Sequence, residues 1–422
     1  MSRFLFFLQL TFVLASLPPH HQAQQTCANP NSLLTLQLDS CALSKAERAE
    51  VKTTLDESAS PRTSSKTWRS SGFCRGSRID KFCVFTNPSF NYGEGVSVVT
   101  TGKSISTIAT RPAFQIEKDL KPEPIPTPYR EAQIPGKDIG LVATRTIEAG
   151  ELLMARIPAL MVNENAIEKL GKKTVSELLI RAVDDLPFQH RQSLLNLSTH
   201  SAAKDYGDKI YRILQTNSFR TGYHDGDNAF YSLFTEVSRI NHDCRPNCAY
   251  YFDHLDFRQK VVAVREIAVG EELTIAYYDP LQIRSVRQDK LLKEWGFHCA
   301  CQRCSMDAPS IAESDSRVKQ IIALRNELDD HSATPEASPQ KAELLISLYK
   351  EEGILTRVNE AYYRAAIEYI GVGDAKNAAV HAKLCVDHGL KFIGPDRPFV
   401  NEMQELIANP TKHPKWKFCL KN

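Results

Sequence analysis

The sequence lacks an excess of charge of either sign. Its 422 residues include 52 Lys and Arg and 50 Asp and Glu, which leaves a net charge of +2. Stable binding to nucleic acid or to an acidic membrane surface generally requires a marked basic excess. The composition is otherwise globular, with 42% hydrophobic residues, and such a length suggests about two to three domains. Partners must therefore be inferred from individual sites.

Long hydrophobic runs are also missing. The most apolar stretch, Phe4–Leu17, is shorter than the ~20 residues of a membrane-spanning helix. A single positive charge before it and a polar exit after it fit a signal peptide within residues 1–25. This predicts a protein of the secretory pathway or a secreted protein. The alternatives are a mitochondrial leader or a mispredicted gene start, with a location in the nucleus or cytoplasm.

The cysteines form two groups and two isolated positions. The N-terminal group consists of Cys27, Cys41, Cys74 and Cys83. Its spacing is typical of disulfide partners, and four cysteines allow three pairings between which sequence cannot choose. The second group consists of Cys244, Cys248, Cys299, Cys301 and Cys304. We interpret the isolated Cys385 and Cys419 as a buried small side chain and a tail thiol.

Shifts in composition divide the chain into segments. Residues 26–120 mix polar residues with short β-like runs such as Val96–Val99, which predicts a small, loop-rich segment that contains cysteines. Four prolines within residues 121–128 predict an extended linker. Short strands follow, and Gly150 and Gly270 each lie in an Ile-x-x-Gly-Glu sequence between apolar runs. Glycine at these points can supply the positive φ of a tight turn.

Helical spacing of apolar residues occurs in two regions. Residues 164–216 show it between the strand-like segments, which predicts a helical insert within a β domain. Residues 317–410 show it almost throughout, and small residues at the expected helix contacts favour tetratricopeptide-like packing.

Three motifs carry chemical information. Residues 239–247 read Arg-Ile-Asn-His-Asp-Cys-Arg-Pro-Asn, a stiff loop with amide, imidazole and thiol groups. Residues 270–279 read Gly-Glu-Glu-Leu-Thr-Ile-Ala-Tyr-Tyr-Asp, a strand that ends in two tyrosines. Residues 295–304 contain Cys-x-Cys-x-x-Cys, three thiols that can fold around one zinc ion. Zinc prefers four such ligands, and Cys244 in the first motif is the natural fourth candidate.

Together these motifs resemble the SET domain and its post-SET zinc tail, in the same order and spacing. The N-terminal side fits as well, because Pro135–Ala143 resembles the family's glycine-containing cofactor loop and Thr216–Phe219 resembles a segment of the SET-and-MYND branch. The likeness covers residues 129–280 for the SET domain and 281–306 for the post-SET segment. The MYND finger is missing, and the layout is similar to fungal SET proteins that begin with a leader.

The resemblance implies an α+β fold, a methyltransferase activity and a set of site residues. The fold would be a SET β-fold with a pseudoknot and the helical insert, followed by the C-terminal α-helical domain. The implied contacts to S-adenosylmethionine are Gly140, Leu141, Asn217, Asn241, His242, Tyr277 and Phe297. Tyr277 would also be the catalytic tyrosine. The implied ligands of a structural zinc ion are Cys244, Cys299, Cys301 and Cys304. Ile275 occupies the position that sets the number of methyl groups, and a residue smaller than Tyr there leaves room for more than one.

One residue departs from the family pattern. Asp138 stands where the cofactor loop usually has its first glycine, and an anion there could weaken cofactor binding. Three hypotheses follow. The chain methylates a lysine side chain of a protein; it methylates a small-molecule amine or a non-histone secretory protein; or it is a SET binding module without turnover. The oligomeric state is left open.

Overall fold

The computed structural model describes residues 68–115, 126–222, 229–330 and 337–420. The leader, Cys27, Cys41 and most of the proline-rich linker lie outside the described residues. The strands are β1 (Arg69–Gly76), β2 (Lys81–Asn87), β3 (Val96–Thr100), β4 (Tyr129–Gln133), β5 (Ile139–Ala143), β6 (Leu152–Arg156), β7 (Leu160–Asn163), β8 (Phe219–Gly222), β9 (Ala229–Leu233), β10 (Asn241–His242), β11 (Cys248–Asp253), β12 (Arg258–Ala263) and β13 (Thr274–Ile275). The helices longer than one turn are α1 (Gly102–Ala109), α2 (Glu164–Lys169), α3 (Lys172–Asp184), α4 (Phe188–Leu195), α5 (Tyr206–Asn217), α6 (Arg284–Trp295), α7 (Ala308–Asp329), α8 (Pro339–Glu352), α9 (Asn359–Gly371), α10 (Ala375–Phe392) and α11 (Pro398–Ala408). The predicted α+β class is confirmed.

The N-terminal strands belong to the largest sheet, whose order is β1-β2-β3-β7-β9-β8. Strand β3 pairs in parallel with β7, and Ser97 lies opposite Leu160. The sequence predicts a separate loop-rich segment here, whereas residues 69–100 form three strands of the same sheet as residues 160–163. Every residue of Val96–Thr100 is buried because both faces of this strand are covered. The Cys74–Cys83 disulfide joins directly opposed residues of β1 and β2.

The helical insert packs against one face of this sheet. Apolar residues recur at the predicted helical spacing within residues 164–216, and the following are buried: Val175, Leu178, Leu179, Val183, Ile210, Ile213 and Leu214. They form one core with residues of β2, β3 and β7. Helix α1 covers the opposite face together with Phe257. The sheet and the insert therefore form one framework beside the smaller strands of the site.

Two glycine turns form a symmetric pair in the SET region. Gly150 has φ 87° and Gly270 has φ 83°, as predicted from their sequence contexts. Ile147 and Ile267 exchange backbone hydrogen bonds of 2.9 and 3.0 Å. Each glycine also bonds to the strand that precedes the other turn: Gly150 N donates to Ala263 O, and Gly270 N donates to Ala143 O. The repeated sequence thus becomes a repeated structure that fixes β5 against the segment leading to the tyrosines.

Two short strands cross at the centre of the SET region. Asn241 lies opposite Thr274 and His242 opposite Ile275 in a parallel pairing. The buried Asn247 secures this crossing, because its amide donates to Glu272 O at 2.8 Å and accepts from Thr274 N at 2.8 Å. The arrangement brings together the two segments that the pseudoknot expectation requires.

The C-terminal region consists of consecutive packed helices, α7 to α11. Helix α7 begins at Ala308, earlier than the sequence boundary of 317, because the Asp307 side chain caps the helix at Ser310 N and Pro309 occupies its first turn. Small residues at the helix contacts, such as Ala365 and Ala378, are fully buried, as expected. Among the described residues, none of the helices combines the length and apolar character that a membrane crossing requires.

Candidate active site and metal centre

Strand β5 carries the glycine of the predicted cofactor loop. A Cβ atom on Gly140 would lie 2.7 Å from the Asn241 side-chain nitrogen and 2.7 Å from Ile134 Cγ1. Only glycine therefore lets the Asn241 amide lie against this strand. The missing Cβ of Gly140 thus makes room for Asn241, another residue that the sequence predicts for the cofactor pocket. Leu141 is 1% exposed, so its side chain lies in the core. The predicted contact of Leu141 with a cofactor would therefore come from its backbone.

A short polar chain orients Asn241. Its side-chain nitrogen donates to Glu272 Oε1 at 2.9 Å, and Lys137 Nζ donates to Glu272 Oε2 at 2.6 Å. The Asn241 amide oxygen is thereby directed away from Glu272. Asp138, the departure from the family pattern, accepts a hydrogen bond of 2.8 Å from the Ser198 hydroxyl in the helical insert. Neither Glu272 nor Lys137 was assigned a role from the sequence.

Asn217 lies at the C-terminal end of α5. Its side-chain nitrogen donates to Ser198 O and to Ile213 O, both at 2.9 Å. Both amide hydrogens are therefore used, and the amide oxygen is the atom left to accept a hydrogen bond. The backbone carbonyl of Asn217 accepts from the Ser238 hydroxyl at 3.1 Å. These bonds bring α5 against the segment that leads into Asn241.

The aromatic residues of the site surround His242. Its ring centroid lies 5.3 Å from that of Tyr277, 5.3 Å from that of Tyr278 and 6.4 Å from that of Phe297. Trp295 packs 5.3 Å from Tyr277, and its indole N–H donates to Thr216 O at 3.1 Å. Trp295 thus ties the post-SET segment to the end of α5. Phe297 is half-buried beside this group, as a surface for a flat ring would be.

The hydroxyl groups of Tyr277 and Tyr278 have different partners. The Tyr277 hydroxyl donates to Ile240 O at 3.0 Å, and burial raises the pKa of Tyr277 above its ordinary value. This phenol therefore stays protonated at neutral pH and acts as a hydrogen-bond donor, not as a base. The Tyr278 hydroxyl instead lies 3.5 Å from Cys244 Sγ. The sequence predicts a strand that ends in these two tyrosines, but β13 ends at Ile275 and both tyrosines lie in the bend that follows it. The change of direction in this bend lets the two hydroxyls reach different partners.

Four cysteines converge as the spacing predicts. The Sγ atoms of Cys244, Cys299, Cys301 and Cys304 all lie within 4.8 Å of one another, and all four residues are buried. Zinc–sulfur distances of about 2.3 Å in a tetrahedron place the sulfur atoms about 3.8 Å apart. Cys244 Sγ lies 3.9 Å from Cys299 Sγ and 3.5 Å from Cys304 Sγ. The thiols therefore fit a structural zinc ion. Cys248, the fifth residue of that sequence group, lies apart in β11 and donates to Asn247 Oδ1.

Helix α6 surrounds the four thiols with polar contacts. The guanidinium of Arg287, which is 1% exposed, lies 3.8 Å from Cys304 Sγ. Four thiolates and one zinc ion carry a net charge of −2, which a buried cation partly offsets. Gln288 accepts from Cys299 N at 2.9 Å and donates to Cys299 O at 2.7 Å. Arg287 was assigned no role from the sequence; its position one helical turn before the buried Leu291 is the pattern that places it on the inner face of α6.

The chain is similar in sequence to known SET-domain proteins. The SET domain family matches residues 138–278. Histone-lysine N-methyltransferase set5 of Schizosaccharomyces pombe is 25% identical over 288 residues, which cover 68% of this chain and 85% of that protein. Histone-lysine N-methyltransferase SMYD3 of Homo sapiens is 35% identical over 123 residues, 28% of each chain. SET domain and MYND-type zinc finger protein 6 of Schizosaccharomyces pombe is 35% identical over 99 residues, 24% of this chain and 20% of that protein.

The crossing strands lie within residues 138–278, the part that matches the SET domain family, so the chain contains a SET domain. Its relatives are named histone-lysine N-methyltransferases, and SET methyltransferases use S-adenosylmethionine. The chain spans most of the length of set5 but less than a third of SMYD3.

Proposed function

We propose that this protein transfers the methyl group of S-adenosylmethionine to the side-chain amine of a lysine in a protein substrate. The observation that carries the proposal is the position of Tyr277, whose backbone bonds to His242 and whose hydroxyl bonds to Ile240 O next to Asn241. The names of the relatives, which describe histone-lysine methyltransferases, support a lysine substrate. The assignment of Gly140, Leu141, Asn217, Asn241, His242, Tyr277 and Phe297 to the cofactor pocket is part of the proposal.

The reaction forms a bond between the amine nitrogen and the methyl carbon while the carbon–sulfur bond breaks. S-adenosylmethionine, when bound, supplies the electrophilic methyl group, and its sulfur leaves as a neutral thioether. The lysine must first lose a proton to solvent, because a free lysine has a pKa of about 10.4. Apolar surroundings favour the neutral amine. The Tyr277 hydroxyl and the Ile240 carbonyl present oxygen atoms that orient the amine, so positioning provides most of the catalysis.

The zinc ion has a structural role in this proposal. Cys244, Cys299, Cys301 and Cys304 would hold it, and it would fix the tail that carries Trp295 and Phe297 over the pocket. Ile275 is 1% exposed and lies opposite His242. A side chain smaller than Tyr at this position favours the addition of more than one methyl group.

The substrate class is tested with methyl-labelled cofactor and the purified full-length protein. A lysine-containing peptide library and a fraction of small-molecule amines are supplied in parallel, and each positive peptide is repeated with its lysine replaced by arginine. Label in the peptides that disappears with this replacement supports the proposal. Label only in small amines would favour the alternative substrate class. Cofactor binding without any transfer would favour a binding module.

We further propose that the protein folds in the secretory pathway. The leader-like N-terminus and the Cys74–Cys83 disulfide support this location, because disulfides form mainly in oxidising compartments. Fractionation of the native source tests it. Recovery of the protein in the nucleus or cytosol, with free thiols at Cys74 and Cys83, would contradict it.

A further inference from the structure

Glu352, the last residue of α8, is an acidic side chain with no exposed surface. Its Oε1 accepts from Arg245 Nη2 at 2.7 Å and from the Ser314 hydroxyl at 2.5 Å. Its Oε2 accepts from Arg317 Nε at 3.0 Å. A buried carboxylate is tolerated only when charged partners and hydrogen bonds satisfy it to this degree. The network is therefore highly specific in geometry, and loss of one member leaves buried charge unpaired.

Two of the arginines at Glu352 are neighbours of zinc ligands. Arg245 follows Cys244 in the motif loop, and Arg303 precedes Cys304 in the tail. Both donate to the backbone carbonyl of Glu352, at 2.8 Å from Arg245 Nε and 3.2 Å from Arg303 Nη2. Gly353 ends the helix with φ 74°, which leaves this carbonyl available at the negative end of the helix dipole. One residue of the helical region thus contacts both halves of the metal centre.

Arg245 also bonds to the two segments that hold the predicted active-site residues. Its Nη1 donates to Cys244 O at 2.6 Å and to Pro280 O at 3.2 Å. Cys244 follows Asn241 and His242 in the same loop, and Pro280 follows Tyr277 by a few residues. The position of the arginine therefore fixes the two crossing segments relative to each other, and Glu352 fixes the arginine.

We infer that Glu352 is a positioning residue, through which the C-terminal helices hold the zinc tail and the cofactor pocket in place. The helical region is then a structural part of the methyltransferase site and not an independent appendage. The inference rests on the proposed function where it concerns cofactor affinity. The rate of zinc release tests it independently of that function.

The test compares Glu352→Gln, which keeps the shape and removes the charge, with Glu402→Gln. Glu402 lies in the same helical region and accepts from Tyr363 at 2.9 Å and His413 at 3.4 Å, without contact to the metal centre. Zinc-loaded full-length proteins are mixed with a chromogenic chelator, and S-adenosylhomocysteine affinity is measured by calorimetry. We expect Glu352→Gln to release zinc about tenfold faster and to bind S-adenosylhomocysteine several-fold more weakly, as the loss of a charge-assisted hydrogen bond allows. Glu402→Gln should match the wild type in both.

Equal zinc release from both variants and the wild type would overturn the inference, even if Glu352→Gln lowers the melting temperature. If Glu352→Gln does not fold, Arg303→Gln replaces it, and wild-type zinc release in that variant would likewise overturn the inference. If wild-type protein binds zinc but not S-adenosylhomocysteine, the proposed function fails, and the zinc release rates still decide the role of Glu352.

Discussion

The backbone N–H of Tyr277 donates a hydrogen bond of 3.1 Å to Nδ1 of His242. Because Nδ1 accepts this bond, the ring proton of neutral His242 lies on Nε2, which is 3.5 Å from Cys244 Sγ. His242 therefore connects the backbone of the proposed catalytic tyrosine to a ligand of the proposed zinc ion. The imidazole is 3% exposed, so water does not replace either contact. The geometry implies that the metal centre and the active site respond to each other.

Replacing Tyr277 with Phe should slow methyl transfer by a factor on the order of 10² or more, because the change removes the hydroxyl that orients the amine. S-adenosylhomocysteine affinity should stay close to the wild-type value. Single-turnover rates and calorimetry provide the two measurements. The matched control is Tyr278→Phe, whose lost hydroxyl contacts Cys244 and not the site of transfer. A larger rate loss in Tyr278→Phe than in Tyr277→Phe would show that the roles of the two tyrosines are exchanged.

Replacing Asn241 with Ala should weaken S-adenosylhomocysteine binding by about tenfold or more, since one oriented amide is lost from the pocket. The effect on stability should be smaller, because the side chain is only half-buried and its partner Glu272 retains Lys137. Calorimetric titration and thermal unfolding separate the two effects. Wild-type affinity in the variant would place Asn241 outside the cofactor pocket.

The cysteines should divide into oxidised and metal-bound groups. Alkylation of native protein without reductant should leave Cys74 and Cys83 unmodified, because they form a disulfide. Metal analysis should give one zinc ion per chain, and a chelator should make Cys244, Cys299, Cys301 and Cys304 reactive. The pairing of Cys27 with Cys41 is a further prediction of the same experiment. A disulfide among the last four thiols in active, zinc-free protein would contradict the division.

Glu368 should make the stability of the C-terminal helices pH-dependent. Burial raises the pKa of Glu368 to about 7, although Lys415 opposes the change, and neither carboxylate oxygen has a hydrogen-bond partner among the described residues. The folded protein then binds a proton more tightly than the unfolded chain, whose glutamates have a pKa of about 4.3. Protonated Glu368 therefore contributes to the free energy of unfolding below pH ~4.5, and this contribution is lost as the pH rises to about 7. Its upper size is on the order of 3 kcal/mol.

The substitution Glu368→Gln removes this titration. The free energy of unfolding should vary less between pH 5 and 8 in the variant than in the wild type, as measured with urea at several pH values. Glu405→Gln, an exposed glutamate on α11, provides the control and should keep the wild-type slope. An unchanged slope in Glu368→Gln would exclude Glu368 as the group that titrates.

Local spacing made much of the site predictable. The residues of the motif loop and of the Cys-x-Cys-x-x-Cys tail are close in sequence, and their chemistry restricts what they can form. The glycine turns at Gly150 and Gly270 were predictable for the same reason, since a turn depends on a few neighbouring residues. The roles assigned to Asn217 and Phe297 came from the family resemblance and stay predictions.

Long-range pairing was not predictable from the sequence. The parallel alignment of Ser97 with Leu160 depends on packing between distant segments, which no local pattern encodes. Glu352 and Arg245 are separated by 107 positions, and each looks like an ordinary charged surface residue in its own sequence context. Only the fold shows that the half-buried Arg245 meets the fully buried Glu352.

The chemical identity of the methylated product provides the most direct test of the central claim. Full-length protein is incubated with methyl-labelled S-adenosylmethionine and a protein or peptide substrate from the library, and the product is hydrolysed to amino acids and separated. We predict label in methylated lysine, including forms with more than one methyl group as Ile275 favours, and a strong reduction of this label with Tyr277→Phe. Label in another amino acid, or no label in protein that binds S-adenosylhomocysteine, would contradict the claim that this SET domain methylates lysine.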